Sequence, residues 1–190
     1  MRILALSGSL RAASLNSALL RTAAALAPST IEVSVSSLVG QLPLFNPDLE
    51  ALAPLPGPVQ ALHAELAAAD ALLIASPEYA HGVTGAVKNA LDWLVGFEAF
   101  VDKPVAVINA SPRAHHADAA LRETLKTMSA RIIESASISI PLLGSGLRDS
   151  ASMAAAPAVA QALRDMLAQL QRVVMLHEAD GGPGSFPVQG

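Results

Sequence analysis

The chain contains no cysteine, which excludes disulfide bonds and thiol catalysis and removes the commonest soft metal ligands. It has no run of 18 or more apolar residues, because proline, aspartate, arginine or other polar residues interrupt each candidate, so no membrane-spanning segment is expected. The mean hydropathy of +0.45 instead reflects abundant Ala, Leu and Val. The N-terminal apolar run is too short for a secretory h-region. With cysteine missing as well, the expected location is cytoplasmic. Charge is scarce, at 15% of residues, and the 12 Lys and Arg are scattered against 16 Asp and Glu for a net charge of −4. That balance argues against a nucleic-acid surface and predicts small-molecule partners. Three catalytic or phosphate-binding signatures are also missing: the Gly-x-x-x-x-Gly-Lys-Ser/Thr of nucleotide hydrolases, the Gly-x-Gly-x-x-Gly of dinucleotide folds, and the Gly-x-Ser-x-Gly of serine hydrolases.

What is present suits one domain. A chain of 190 residues buries about 70% of the surface that its unfolded form exposes, and residues 1–178 read as that domain. Residues 179–190, rich in glycine and proline, read as a mobile tail. Hydrophobic residues make up 52% of the sequence, more than a compact monomer of this size hides, so a homo-oligomer is expected.

Apolar runs of strand length alternate with segments of helical period, the pattern of a parallel sheet with helices on both faces. Strands are predicted at Arg2–Leu6, Glu32–Ser36, Ala71–Ala75, Pro104–Asn109 and near Ile132–Ile140. Helices are predicted at Leu15–Leu26, Pro58–Ala68, Gly85–Val95, Asp118–Ala130 and from Pro157 to about Met175. The fold class is α/β. Between Leu38 and Pro58 five prolines break both periods, so a long ordered loop is expected over the carboxyl edge of the sheet, where it walls a pocket.

The first candidate site follows the first strand. Gly8 permits a tight turn, Ser14 stands where an N-cap belongs, and Ser9, Arg11, Ser14 and Asn16 add donors to the free amides of the helix that begins at Leu15. Such a cradle suits a phosphate monoester, although a capped helix and ordinary loop chemistry use the same residues. In a doubly wound sheet this loop lies beside the loop after the third strand, at the point where strand order reverses. That loop is Ser76-Pro77-Glu78-Tyr79-Ala80-His81-Gly82. Its proline stiffens the backbone, and Tyr79, the only tyrosine, offers a face to a planar heterocycle or packs on a neighbouring element. Thr84 is placed to cap the next helix, and Lys88 and Asp92 are placed to pair across one turn. The adjacent His115 and His116, followed by Asp118, read as a loop and helix start rather than a metal site, with Asp118 facing the helix dipole.

Gly8-Ser9-Leu10-Arg11-x-x-Ser14-x-Asn16, then Pro77-Glu78-Tyr79, then Gly85-x-x-Lys88-Asn89-Ala90-Leu91-Asp92-Trp93 resemble the motifs of the NAD(P)H-dependent FMN reductases, flavodoxin-like flavoproteins. The resemblance runs from Met1 to about Ile140. It implies a five-stranded parallel sheet of order 2-1-3-4-5, with FMN as cofactor and NADPH or NADH as co-substrate. It assigns Ser9, Arg11, Ser14, Leu15, Asn16 and Ser17 to the FMN phosphate. Pro77, Glu78, Tyr79 and Ala80 are assigned to the flavin ring, mostly through the backbone, and Ser111 to the pocket's far wall. Relatives often carry a polar residue where this chain has Ala80, a proline where it has Thr84, and a glycine-rich loop where it has Pro112 and Ala114. Arg113 is a further candidate for the flavin or the nicotinamide phosphate. The resemblance also places Trp93 at a subunit interface, in a homodimer or homotetramer; a core position is the competing reading.

The function implied is hydride transfer from NAD(P)H to FMN and then reduction of a flavin, quinone or similar small acceptor by a ping-pong mechanism, with no side chain required as acid or base. A flavodoxin-like electron carrier without NAD(P)H turnover, and a regulatory subunit without redox activity, are the alternatives.

Overall fold

The computed structural model describes residues 1–111 and 113–179. Its central sheet is parallel. Strands β1 (Arg2–Ser7), β2 (Glu32–Val35) and β3 (Ala71–Ala75) are joined by helices α1 (Leu15–Leu26), α2 (Pro47–Glu50) and α3 (Gly57–Ala67). A short antiparallel hairpin, β4 (Glu78–Tyr79) and β5 (Gly82–Val83), precedes α4 (Gly85–Asp92). Then come β6 (Pro104–Asn109), α5 (His115–Thr127), β7 (Arg131–Ile132), β8 (Ile138–Ser139), α6 (Ser150–Ala155) and α7 (Pro157–Ala179).

The sheet runs β2-β1-β3-β6-β7, and β8 also pairs with β6. This is the expected order, except that the fifth strand is broken. A single 3₁₀ turn, Glu134–Ala136, divides it. At the break Ser137 Oγ accepts the Val107 N–H at 3.1 Å and donates to the Ile133 carbonyl at 3.0 Å. A side chain thus satisfies the β6 amide that an unbroken strand would have paired.

Both faces of the sheet are covered, and the strands record it residue by residue. Ile3, Ala5, Leu73, Ala106 and Ile108 turn to the layer containing α1, α6 and α7, where they meet Leu19, Leu163, Leu167 and Leu170. Leu4, Leu6, Leu72, Ile74, Val105 and Val107 turn the other way, onto Leu62, Leu66, Leu91 and Leu125 of α3, α4 and α5. Period-two alternation with both sets apolar accounts for the continuous hydrophobic runs.

The segment between Leu38 and Pro58 is ordered but is not loop throughout. Asn46 Oδ1 accepts the Asp48 N–H at 2.9 Å and Pro47 takes the first helical position, so one turn of helix, α2, forms inside it. It lies on the end of α4 instead of walling the main cleft. Asn89 Oδ1 accepts the Phe45 N–H at 2.7 Å, Asn89 Nδ2 donates to the Pro43 carbonyl, and the Trp93 indole N–H donates to the same carbonyl at 2.8 Å. Trp93 is 2% exposed in the lone chain and meets Phe45 edge to face at 5.1 Å. The interface position is therefore overturned in favour of the core, since the indole's polar atom and its ring are both satisfied inside the chain. Helix α7 extends to Ala179, beyond the Met175 expected, and the rest of the predicted tail lies outside the described residues.

Candidate functional site

Three loops meet at the carboxyl edge of the sheet around a cleft of about 350 Å³. The first, after β1, is built by serines. Ser7 Oγ and Ser17 Oγ share a hydrogen bond at 2.7 Å, and the Ser9 N–H donates to Ser7 Oγ at 3.3 Å, so the loop is held across its own base. Ser14 caps α1 by accepting the Ser17 N–H at 3.1 Å, which leaves the amides of Leu15 and Asn16 at the first two helical positions with no partner in the helix. Asn16 is buried, and its Oδ1 has no hydrogen-bond partner among the described residues. Arg11, exposed, lines the same cleft. The two helix-start amides without acceptors, at the positive end of a helix dipole, create an anion site, whereas Asn16 Oδ1 is an acceptor that calls for a donor.

The second loop, after β3, is pressed against the first. The Gly8 N–H donates to the Ala75 carbonyl at 2.8 Å, and a Cβ at Gly8 would stand 2.6 Å from Ser76 Cβ and 2.9 Å from Thr84 Oγ1. Only glycine permits that approach. Thr84 caps α4 through Val87 N–H and shares a 3.4 Å contact with Ser76 Oγ, so the seam continues into the next helix. Between Ser76 and Thr84 the chain turns back as the β4-β5 hairpin, whose two turn residues, Ala80 and His81, have φ of 50° and 60°. Two consecutive positive φ values are the signature of the tight hairpin turn that normally carries Asn-Gly.

The hairpin is anchored by Glu78. Its Oε2 accepts the Ala117 N–H at 2.9 Å, and its Oε1 lies 3.1 Å from His81 Nδ1. Ala117 belongs to the first turn of α5, a helix with no side-chain cap of its own. Glu78 therefore caps α5 from a different element. The Ala117 N–H, followed by the imidazoles of His81 and His116, holds the Glu78 carboxyl below its ordinary range against a smaller opposing effect of burial. His116 lies edge to face with His81 at 4.6 Å and beside His115 at 4.1 Å. Among the described residues no group of three or more His, Asp or Glu side chains is arranged to hold a metal ion. Asp118, in the first turn of α5, accepts from Arg122 Nε at 2.7 Å.

The third loop follows β6. Asn109 Oδ1 accepts the Ser111 N–H at 2.9 Å and its Nδ2 donates to the Ala114 carbonyl at 3.3 Å, shaping the turn that carries Ser111 and Arg113 into the cleft wall. Pro112 lies outside the described residues.

The sequence model of the NADPH-dependent FMN reductases matches residues 1–142. The chain belongs to that family. Among curated relatives, an NAD(P)H-dependent FMN reductase of Pseudomonas aeruginosa is 40% identical over 113 residues, 58% of this chain and 60% of that protein. A quinone reductase of Escherichia coli K12 is 35% identical over 106 residues, 56% of this chain and 55% of that protein. The chain thus spans somewhat over half the length of the curated relatives it matches. Among solved structures, the flavoenzyme NAD(P)H:(acceptor) oxidoreductase FerB of Paracoccus denitrificans superposes with a TM-score of 0.75 at 28% identity, covering 90% of this chain and 97% of FerB. The apo form of an NADH:FMN oxidoreductase, at 22% identity and a TM-score of 0.61, shares the fold.

Of the residues that the FMN reductase motifs assign, Ser9, Arg11, Ser14, Leu15, Asn16, Pro77, Glu78, Tyr79 and Ser111 line one cleft. Ser17 and Ala80 do not line it. Ser17 is spent on Ser7 and the base of the first loop, and Ala80 sits at the hairpin tip. Arg113 lines the cleft, while His81, His115 and His116 do not. Asn109 and Leu143 line it too, as do Ala13, Ser76, Ala110 and Ala114. Asn109 carries a signal, being a polar residue at the carboxyl end of a strand. Leu143 carries none; it reaches the cleft from the irregular chain after β8.

Proposed function

We propose that the chain is an NAD(P)H-dependent FMN-containing oxidoreductase that reduces a flavin, quinone or similar small acceptor by a ping-pong mechanism. The observation that carries this reading is the pair of helix-start amides, Leu15 and Asn16, with no acceptor in the helix and with Arg11 beside them, at one end of a cleft whose other end is the Pro77–Tyr79 loop. A phosphate monoester attached to a planar ring fits both ends. Ser9, Arg11, Ser14, Asn16 and the Leu15 amide would hold the phosphate. Pro77, Glu78 and Tyr79 would lie along the ring, with Ser111 on the far wall. Glu78 contributes its backbone there, because its carboxylate is turned away to α5.

Bound FMN would supply the redox chemistry, taking a hydride from NAD(P)H and passing two electrons to the acceptor. The chain's own contribution is binding and orientation. Tyr79 is 53% exposed and lines the cleft, where its ring would limit how a second planar ligand approaches a bound flavin. The reading assigns no side chain as an obligatory acid or base, because hydride transfer to a flavin needs none. A homodimer or homotetramer acting in the cytoplasm on a small-molecule acceptor completes the reading. It is supported by the apolar surface and by the absence, among the described residues, of a helix long and apolar enough to cross a membrane.

Stopped-flow mixing of the FMN-loaded protein with NADPH or NADH tests it. Bleaching of the flavin band followed by recovery on adding a quinone is expected. A flavin that binds but never bleaches would leave an electron carrier in place of a reductase.

A further inference from the structure

Behind the first loop lies a second concavity, of about 380 Å³, between the ends of β1 and β2. It shares Ser9 and Arg11 with the main cleft and adds Arg21, Ser17, Ser36 and Ser37. Arg21 follows Ser17 by four residues on α1, so both project from one helix face. Two guanidinium groups from separate elements and a set of hydroxyls line the space, and no aspartate or glutamate does. Neither arginine forms an ion pair among the described residues. With Arg11 given to the FMN phosphate, Arg21 is the hollow's own cation, and in a chain with a net charge of −4 an arginine in an acid-free hollow is a local reversal of sign. The hollow has a built wall: Leu10 lies on Gly40, so close that a Cβ there would stand 3.0 Å from Leu10 Cδ2.

We propose that this hollow is a second anion subsite, taking a phosphate monoester carried by a ligand other than the bound FMN, with Arg21 as its specificity residue. The inference rests on the reductase reading for its ligands. Two ligands of that reaction bear such a group: the 2′-phosphate of NADPH and the phosphate of a free flavin acceptor. A cationic, hydroxyl-lined hollow without a carboxylate suits either group, and the measurements below separate them. Here β2 ends in Val35-Ser36-Ser37 with Arg21 alongside and no carboxylate. Ser9 and Arg11 border both spaces, so the hollow adjoins the cleft around the same loop.

Calorimetric titration of the FMN-loaded protein with adenosine 2′,5′-bisphosphate and with adenosine 5′-monophosphate reads the subsite without turnover. The bisphosphate is expected to bind roughly tenfold more tightly, with Arg21→Ala removing that preference and Arg21→Lys retaining most of it. In steady-state assays Arg21→Ala should lower the ratio of kcat/KM for NADPH to that for NADH by a similar factor. If the ratio that falls is FMN over riboflavin as acceptor, the flavin phosphate is the occupant. Unchanged bisphosphate preference together with two unchanged ratios overturns the subsite. Should NAD(P)H fail to bleach the flavin, the reductase reading falls, and the bisphosphate titration alone still decides the anion site.

Discussion

A methyl group added at Gly8 would press on Ser76 and Thr84 at once, standing 2.6 Å from Ser76 Cβ and 2.9 Å from Thr84 Oγ1. Backbone lies behind both, so the strain cannot be relieved by a rotamer. Gly8→Ala is expected to destabilise by about 1–3 kcal/mol, the usual cost of overpacking, and to weaken FMN binding because loops one and two must part. Urea midpoints with and without FMN measure it, and Ser76→Gly in the same chain should recover part of the loss. Arg11 is a residue of the opposite kind, exposed and without an ion pair among the described residues. Arg11→Ala should weaken FMN about tenfold or more, on the scale of a charge-assisted hydrogen bond, and leave riboflavin nearly unaffected. Equal losses for the two flavins would show that Arg11 does not address the phosphate. Both residues were legible in sequence, Gly8 as a turn and Arg11 as a donor. The contact that makes Gly8 indispensable was not, because it joins positions 68 residues apart in sequence.

At the scale of elements, Glu78 ties the hairpin to the helix that follows the third loop. The bond from Ala117 N–H lets one carboxylate fix both walls of the cleft's ring end. Its folded-state pKa lies below the ordinary value of 4.5. The unfolded chain therefore binds more protons near that pH, and the contribution is fully present above 4.5 and is lost as pH falls below it. Wild-type protein should lose stability through this window more steeply than Glu78→Gln, which has no carboxylate to titrate there. Asp149, whose carboxylate caps α6 and is likewise held low by the Ser152 amide, titrates with the same sign in both proteins. Denaturant midpoints from about pH 5.5 down to about pH 3 provide the comparison, and parallel curves would remove Glu78 from the helix cap. The elements with long apolar periods, β1, β3, β6, α1 and α7, were readable from sequence because burial on one or both faces imposes the pattern. The hairpin was not. Ala80-His81 carries neither the asparagine nor the glycine that positive φ normally selects, so the turn chemistry contradicts the turn. The split of the fifth strand was hidden for a related reason: Ser137 supports the ladder through its side chain, which strand periodicity does not register.

For the whole molecule, placing Trp93 inside one subunit removes the residue that most resembled an interface anchor, and the apolar surplus must be explained by what remains outside. Leu44 is 83% exposed and Val95 is 61% exposed. Leu44 follows Pro43, whose carbonyl accepts the Trp93 indole N–H, and Val95 lies two residues beyond Trp93, so both belong to one region at the end of α4. Glu50 of α2 approaches Gly96 in the same region, and Leu52, exposed as well, follows just after α2. An apolar group of this kind, fixed to a rigid helix end by Asn89 and Trp93, is where a second copy of the chain would bury surface most profitably. In a two-fold contact each change is introduced twice, so Leu44→Asp combined with Val95→Asp should be enough to convert the oligomer to monomer. Light scattering after size exclusion should show a dimer or tetramer for the wild type and about half the mass or less for the double variant, with far-UV circular dichroism unchanged. A monomeric wild type would end the oligomer reading, whereas an oligomer indifferent to both charges would place its interface elsewhere, away from the end of α4.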